Sequence, residues 1–121
     1  MKVVNKSDAP ALTRNDGLVS HILHSQHEVS ETDLTITWVD VEPGARQVRH
    51  EHDPEQVYVI LSGTGVMAVG DDERTVAAGD LVHIPSNTEH SLENTGDRPL
   101  EYVSAATPAF PAAEVDEFYD Q

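Results

Sequence analysis

His50 and His52 flank Glu51, and on an extended strand residues two apart project to the same face, so both imidazoles can reach one point. Gln56 opens the next apolar run and could bring a side-chain carbonyl oxygen to that point from a neighbouring strand. Far downstream, His90 begins another run just after Pro85-Ser86-Asn87-Thr88. Three imidazoles and one oxygen suit a divalent transition metal such as Mn, Fe, Co, Ni or Zn. A lone His-x-His pair is more commonly a surface or packed core pair, so the flanking residues must decide.

The elements that would position these groups are strands. Leu34–Val41 is rich in β-branched residues and ends in Glu42-Pro43-Gly44; Gln56–Leu61 is closed by Ser62-Gly63-Thr64-Gly65. Val66–Val69, Glu73–Ala77, Leu81–Ile84, His90–Asn94 and Leu100–Ala105 follow between Gly/Asp/Pro turns, and Leu18–Leu23 reads as an early strand. Short strands at close spacing with such punctuation indicate an all-β sandwich or barrel. Residues 1–15 read as an irregular N-terminus that could pair with a partner subunit, and Ala112–Tyr119 as a short C-terminal helix of one turn or two.

Composition narrows the function classes. The 121 residues carry 7 Lys+Arg against 22 Asp+Glu, a formal net charge of −15, and fit a single domain spanning 1–121. Such a chain repels a phosphate backbone and an anionic lipid surface, so neither nucleic acid nor membrane is expected as a partner. No apolar run has membrane-spanning length and the start lacks a signal-peptide stretch, which makes a cytoplasmic protein the default. Cysteine is absent, which removes disulfides, thiolate zinc sites and a cysteine nucleophile. The acidity also reads as the solvated, halophile-like surface of a protein whose fold needs salt to screen self-repulsion.

The spacing around the histidines resembles the cupin superfamily. Its first motif is met as Gly44, five residues, His50-Glu51-His52, three residues, Gln56, six residues, Gly63. Its second is met as Gly79, five residues, Pro85-Ser86-Asn87, two residues, His90, three residues, Asn94, with 15 residues between the motifs. The resemblance covers about residues 33–105 and implies a double-stranded β-helix (jelly-roll) barrel of the RmlC-like kind, with His50, His52, Gln56 and His90 as metal ligands. It also implies a homodimer paired through barrel faces and exchanged N-terminal strands, for which the apolar Val57/Val59/Leu61 face is available.

Two positions depart from the motif. Asn87 stands where Gly is usual, a mild change because Asn tolerates a left-handed turn. Gln56 stands where Glu is usual, leaving a +2 ion uncompensated by its ligands. That tilts the chemistry toward Lewis-acid catalysis, isomerisation or lyase reactions on a sugar acid or keto acid, and away from iron–oxygen redox chemistry. A non-catalytic cupin that binds or senses a small molecule or metal, a cupin dioxygenase, and an ion that only staples the barrel are the rival readings. Glu55 is the reserve ligand, although strand alternation sends it to the opposite face.

Other residues are weighed in the same way. Tyr58 should share the inward face with Gln56 and Ile60, as an acid or substrate-orienting donor or simply as an aromatic filler. Ile36 and Trp38 share a face and are expected in the core. Arg46 and Arg49 could clamp an anion or pair with nearby carboxylates. His83 reads as a core or interface histidine, His21, His24 and His27 as solvent-exposed residues that could form a secondary metal site, and Asn94 as a strand-end or turn residue.

Overall fold

Alternation of apolar and polar residues between glycine and proline turns produces nine strands among the described residues, which in this computed structural model are residues 1–119. They are β1 (Ala11–Thr13), β2 (Val19–His24), β3 (Thr35–Val41), β4 (Glu55–Ser62), β5 (Thr64–Val69), β6 (Asp72–Ala77), β7 (Leu81–Ile84), β8 (His90–Glu93) and β9 (Leu100–Thr107). One sheet has the order β1-β2-β3-β9-β4-β7 and the other β6-β5-β8, with antiparallel neighbours throughout. Residues 45–50 lie along β8 as an irregular fourth row: Arg46 pairs with Glu93, His50 pairs with His90, and the Gln47 amide donates to Leu92 O at 2.8 Å. The result is the all-β fold that the turn and strand pattern predicts, in the jelly-roll form that the resemblance implies. Among the described residues, no helix is long and apolar enough to cross a membrane.

The core lies between the sheets and is built from Leu18, Val39, Val41, Tyr58, Ile60, Met67, Ile84, Leu92, Leu100 and Tyr102. Along β4 the alternation is as expected, with Gln56, Tyr58 and Ile60 buried and Leu61 exposed. On β3 the expected facing is reversed. Thr35, Val39 and Val41 point inward, whereas Ile36 and Trp38 lie on the outer face and do not fill the core. Apolar residues occur on both faces of this strand, so the pairing of Val39 with Tyr102 and Val41 with Leu100 decides which set is buried. Outside, the Trp38 indole donates to Glu101 at 3.1 Å and Lys6 sits 4.9 Å from its ring, bonded to Asp40 and Glu101 at 2.9 Å each.

The first fifteen residues are more ordered than their polarity suggests. Lys6–Asp8 forms a 3-10 turn, and β1 pairs with this chain's own β2, Ala11 opposite His21 and Thr13 opposite Val19. The C-terminal segment forms α1 (Ala112–Val115) followed by a 3-10 turn, Asp116–Tyr119, with Val115 buried. Asn87 has φ 55°, the left-handed conformation anticipated for it. Asn94 caps a strand end, donating to Val41 O and Arg98 O at 2.8 Å each and accepting from the Gly96 amide.

Gly65 has a steric requirement. A Cβ there would lie 2.5 Å from Glu93 O and 2.8 Å from Leu100 Cδ1. Gly65→Ala is therefore expected to lower the urea midpoint by the equivalent of about 1–3 kcal/mol, and an unchanged midpoint would mean β5 and β8 can separate freely at this point.

Candidate metal centre

The pairing of residues 45–50 with β8 sets the site. His50 N donates to His90 O at 3.1 Å and His90 N to His50 O at 2.8 Å, which holds the two imidazoles side by side with centroids 4.3 Å apart. His52, two residues on, places its ring 4.7 Å from His50 and 5.7 Å from His90. One ring nitrogen from each of the three lies within 4.8 Å of the others.

Backbone carbonyls fix two of the tautomers. His50 Nδ1 donates to Val48 O at 2.6 Å and His90 Nδ1 to Thr88 O at 3.0 Å, so each Nε2 carries a lone pair. His90, 0 % exposed, leaves that Nε2 buried without a partner. Gln56, 5 % exposed, donates its amide to Ser104 Oγ at 3.1 Å and leaves Oε1 equally orphaned. An unsatisfied buried acceptor costs about 1–3 kcal/mol, and these face an electrophile's requirements: neutral nitrogen donors plus one oxygen, as a divalent transition ion takes. The residues present therefore fit a metal. Ser104 is one member that sequence reading did not find; its only signal is its place opposite Tyr58 in the β4–β9 ladder.

Electrostatics keep the donors neutral. Burial lowers the pKa of all three histidines; proximity to His50 and His90 adds to the effect at His52, and His50 adds to it at His90. His52 and His90 fall to about 4. Since the folded pKa lies below the unfolded value of 6.5, the unfolded chain takes up protons first as pH falls from about 6.5 toward 4. Metal-free protein should thus lose stability to denaturant between pH 7 and pH 5. The carboxylates with lowered pKa, Glu28 and Glu101, contribute only below about 4.5, so they do not confound that window. Equal stability at pH 7 and pH 5 would show that the imidazoles titrate normally in the fold.

His50, His52 and Gln56 line a cavity of about 280 Å³ together with Arg14, Gln47, Tyr58, Tyr102 and Phe110, and the fully buried His90 sits against His50 and His52. Phe110 packs edge-on against His52 at 4.9 Å. Tyr58 is in the wall: its hydroxyl accepts from Gln47 Nε2 at 3.1 Å, and its ring stacks on Tyr102 at 4.2 Å and meets His90 edge-on at 5.8 Å. Burial raises its pKa, so it stands as a neutral phenol, a donor and not a base. A second cavity of about 310 Å³, between β6 and β7, contains none of the candidate ligands.

Several residues lie elsewhere. Glu55 is exposed on the opposite face, bonded to His83 at 2.6 Å, whereas Gln56 lines the cavity with His50 and His52. His83 is correspondingly exposed and not a core residue, because β7 is the edge strand of its sheet. Arg49 bonds Glu89 and Gly70 O at the surface, and Arg46 is exposed; neither lines the cavity. His21, His24 and His27 do not converge. They bond separately to Asp40, to Lys2 and Thr32, and to Asp116.

A family model described as a cupin domain matches residues 37–106, and the chain belongs to that family. It is 29 % identical over 103 residues to an uncharacterized protein of Methanocaldococcus jannaschii, covering 84 % of this chain and 81 % of that one. An oxalate-binding protein of Thermotoga maritima is 36 % identical over 63 residues, 51 % of this chain; the match spans 52 % of that protein, about half its length. Among solved structures, a predicted oxalate decarboxylase from Thermotoga maritima superposes with a TM-score of 0.81 at 23 % identity, covering 88 % of this chain and 99 % of that one. That likeness concerns the fold.

Proposed function

We propose that the protein is a metal-dependent cupin acting on a small oxygen-rich metabolite, a sugar acid or keto acid, by isomerase- or lyase-type chemistry. The observation that carries this reading is the grouping of three neutral imidazoles, His90 Nε2 unpartnered among them, beside a cavity that His50 and His52 line together with Gln56, whose Oε1 is also unpartnered. A divalent ion bound there supplies a Lewis acid for a carbonyl or hydroxyl oxygen. His50, His52, Gln56 and His90 hold it, and the all-neutral donor set leaves its charge available to the ligand. Tyr58, kept protonated by burial, is the chain's own candidate to donate a hydrogen bond to the reacting molecule. A second reading, binding without turnover, is favoured by the name of the Thermotoga relative, an oxalate-binding protein.

The test uses tag-free protein loaded in turn with Mn, Fe, Co, Ni and Zn, titrated with uronates, keto acids and neutral sugars, with products followed by NMR. Metal-dependent turnover of an acid supports the enzyme. Metal-dependent binding with no product across the panel establishes the binding reading instead, and no metal-dependent binding at all overturns both. The same reading includes a homodimer. Val57, Val59 and Val103 continue on the outer sheet face into Leu81, which is 61 % exposed. Leu81→Glu should shift sedimentation from dimer to monomer; a wild-type monomer would remove this part.

A further inference from the structure

The cavity holds polar groups that metal ligation leaves unused. Arg14 follows β1, where its amide donates to Leu18 O at 2.8 Å. Its guanidinium touches Asp16 at 3.3 Å and Ser20 Oγ at 3.4 Å and lies near Tyr102, which leaves part of a five-donor group uncommitted. Asp16 is a rigid support: its side chain is 4 % exposed and accepts from Leu18 N and Val48 N at 3.1 Å each. Val48 in turn supplies the carbonyl that orients His50. Arg14 is thus anchored to the strand that carries the metal donors.

Beside it stands a second unused group. Gln47 is 1 % exposed and donates its amide to the hydroxyls of Tyr58 and Tyr102 at 3.1 and 3.0 Å, while its Oε1 is buried without a partner. An acceptor in that state is matched by a ligand hydroxyl. A guanidinium in the same pocket is matched by a carboxylate. Glu114 and Glu117 also line the cavity, but both are exposed to solvent.

Resting on the metal-site reading, we propose that Arg14 and Gln47 form a ligand subsite for a small hydroxy-carboxylate, with the carboxylate on Arg14 and a hydroxyl donating to Gln47 Oε1. The subsite consists of the chain's own residues, so it binds its ligand weakly even without metal. It favours a hydroxy acid over a dicarboxylate that lacks a hydroxyl and over a neutral polyol.

The experiment titrates glycerate, oxalate and glycerol into wild type, Arg14→Gln, Arg14→Lys and Gln47→Glu, by calorimetry on Mn-loaded protein and by NMR on metal-free protein, with metal content measured in parallel. For glycerate we expect at least about a tenfold loss of affinity in Arg14→Gln, partial recovery in Arg14→Lys, and unchanged metal content in both. Gln47→Glu keeps an acceptor but adds a like charge, and should also weaken glycerate. Glycerol should bind feebly and equally to all. Equal glycerate affinity in wild type and Arg14→Gln, or a wild type that binds glycerate no better than glycerol, overturns the subsite. Failure of the wild type to retain Mn overturns the metal reading separately, and shifts in the metal-free spectra still decide the subsite.

Discussion

His90→Ala is expected to reduce bound metal from about one ion per chain to less than a tenth of that, measured by elemental analysis of protein purified without an affinity metal. His90 supplies a buried Nε2 whose lone pair has no other partner, and its Nδ1 is tied to Thr88 O, so no neighbouring side chain can take over its direction. Loss of groups that merely orient a ligand weakens metal affinity about 10- to 100-fold, and removal of a donor itself should exceed that range. His83→Ala and His24→Ala serve as controls, since both residues bond elsewhere, to Glu55 and to Thr32, and should leave metal content unaltered. Unchanged metal in His90→Ala would abolish the proposed site, whereas parallel losses in all three variants would point to adventitious surface binding.

Gln56→Glu should act in opposite directions on the two forms of the protein. With metal, a carboxylate in place of the amide neutralises part of the ion's charge, and retention against a chelator should improve about tenfold or more. Without metal, the same carboxylate is buried, with the Ser104 hydroxyl as the nearby donor. Its folded pKa would be raised, and the metal-free protein should be destabilised by about 1–3 kcal/mol in urea at pH 7. The destabilisation should shrink as the pH falls and the new carboxyl is protonated. A variant that is less stable when metal-free yet holds metal no better would make Gln56 a packing residue and remove it from the ligand set.

The grouping of His50, His52 and His90 was legible in the sequence because their spacing follows turns that the chain does form. His50 and His52 lie in no strand, yet the bridge of His50 to His90 still brings the rings together, and Asn87 takes the positive φ its turn position calls for. The pocket wall was not. Arg14, Gln47, Ser104 and Phe110 come from separate segments brought together by the order β3-β9-β4 and by the row that residues 45–50 add to β8, and no spacing rule connects them. Arg46 and Arg49 lie beside the histidines in sequence, yet Arg14 is the arginine that lines the cavity. Trp38 lies outside the core, and so does His83, for a related reason: a strand with apolar residues on both faces, and a strand at a sheet edge, do not reveal from composition which side is covered.

The candidate metal donors, positions 50 to 90, all fall inside the stretch that the family model matches, 37–106, while Arg14, Asp16, Ser20 and Phe110 fall outside it on either flank. On the proposed reading, the ion-binding residues and Gln47 belong to the shared stretch of the barrel, while the guanidinium that would hold a carboxylate comes from the flank. If the proposed subsite holds, a substitution at Arg14 retunes which molecule is admitted without removing an ion-binding side chain, whereas one at Asp16 also reaches His50 through Val48.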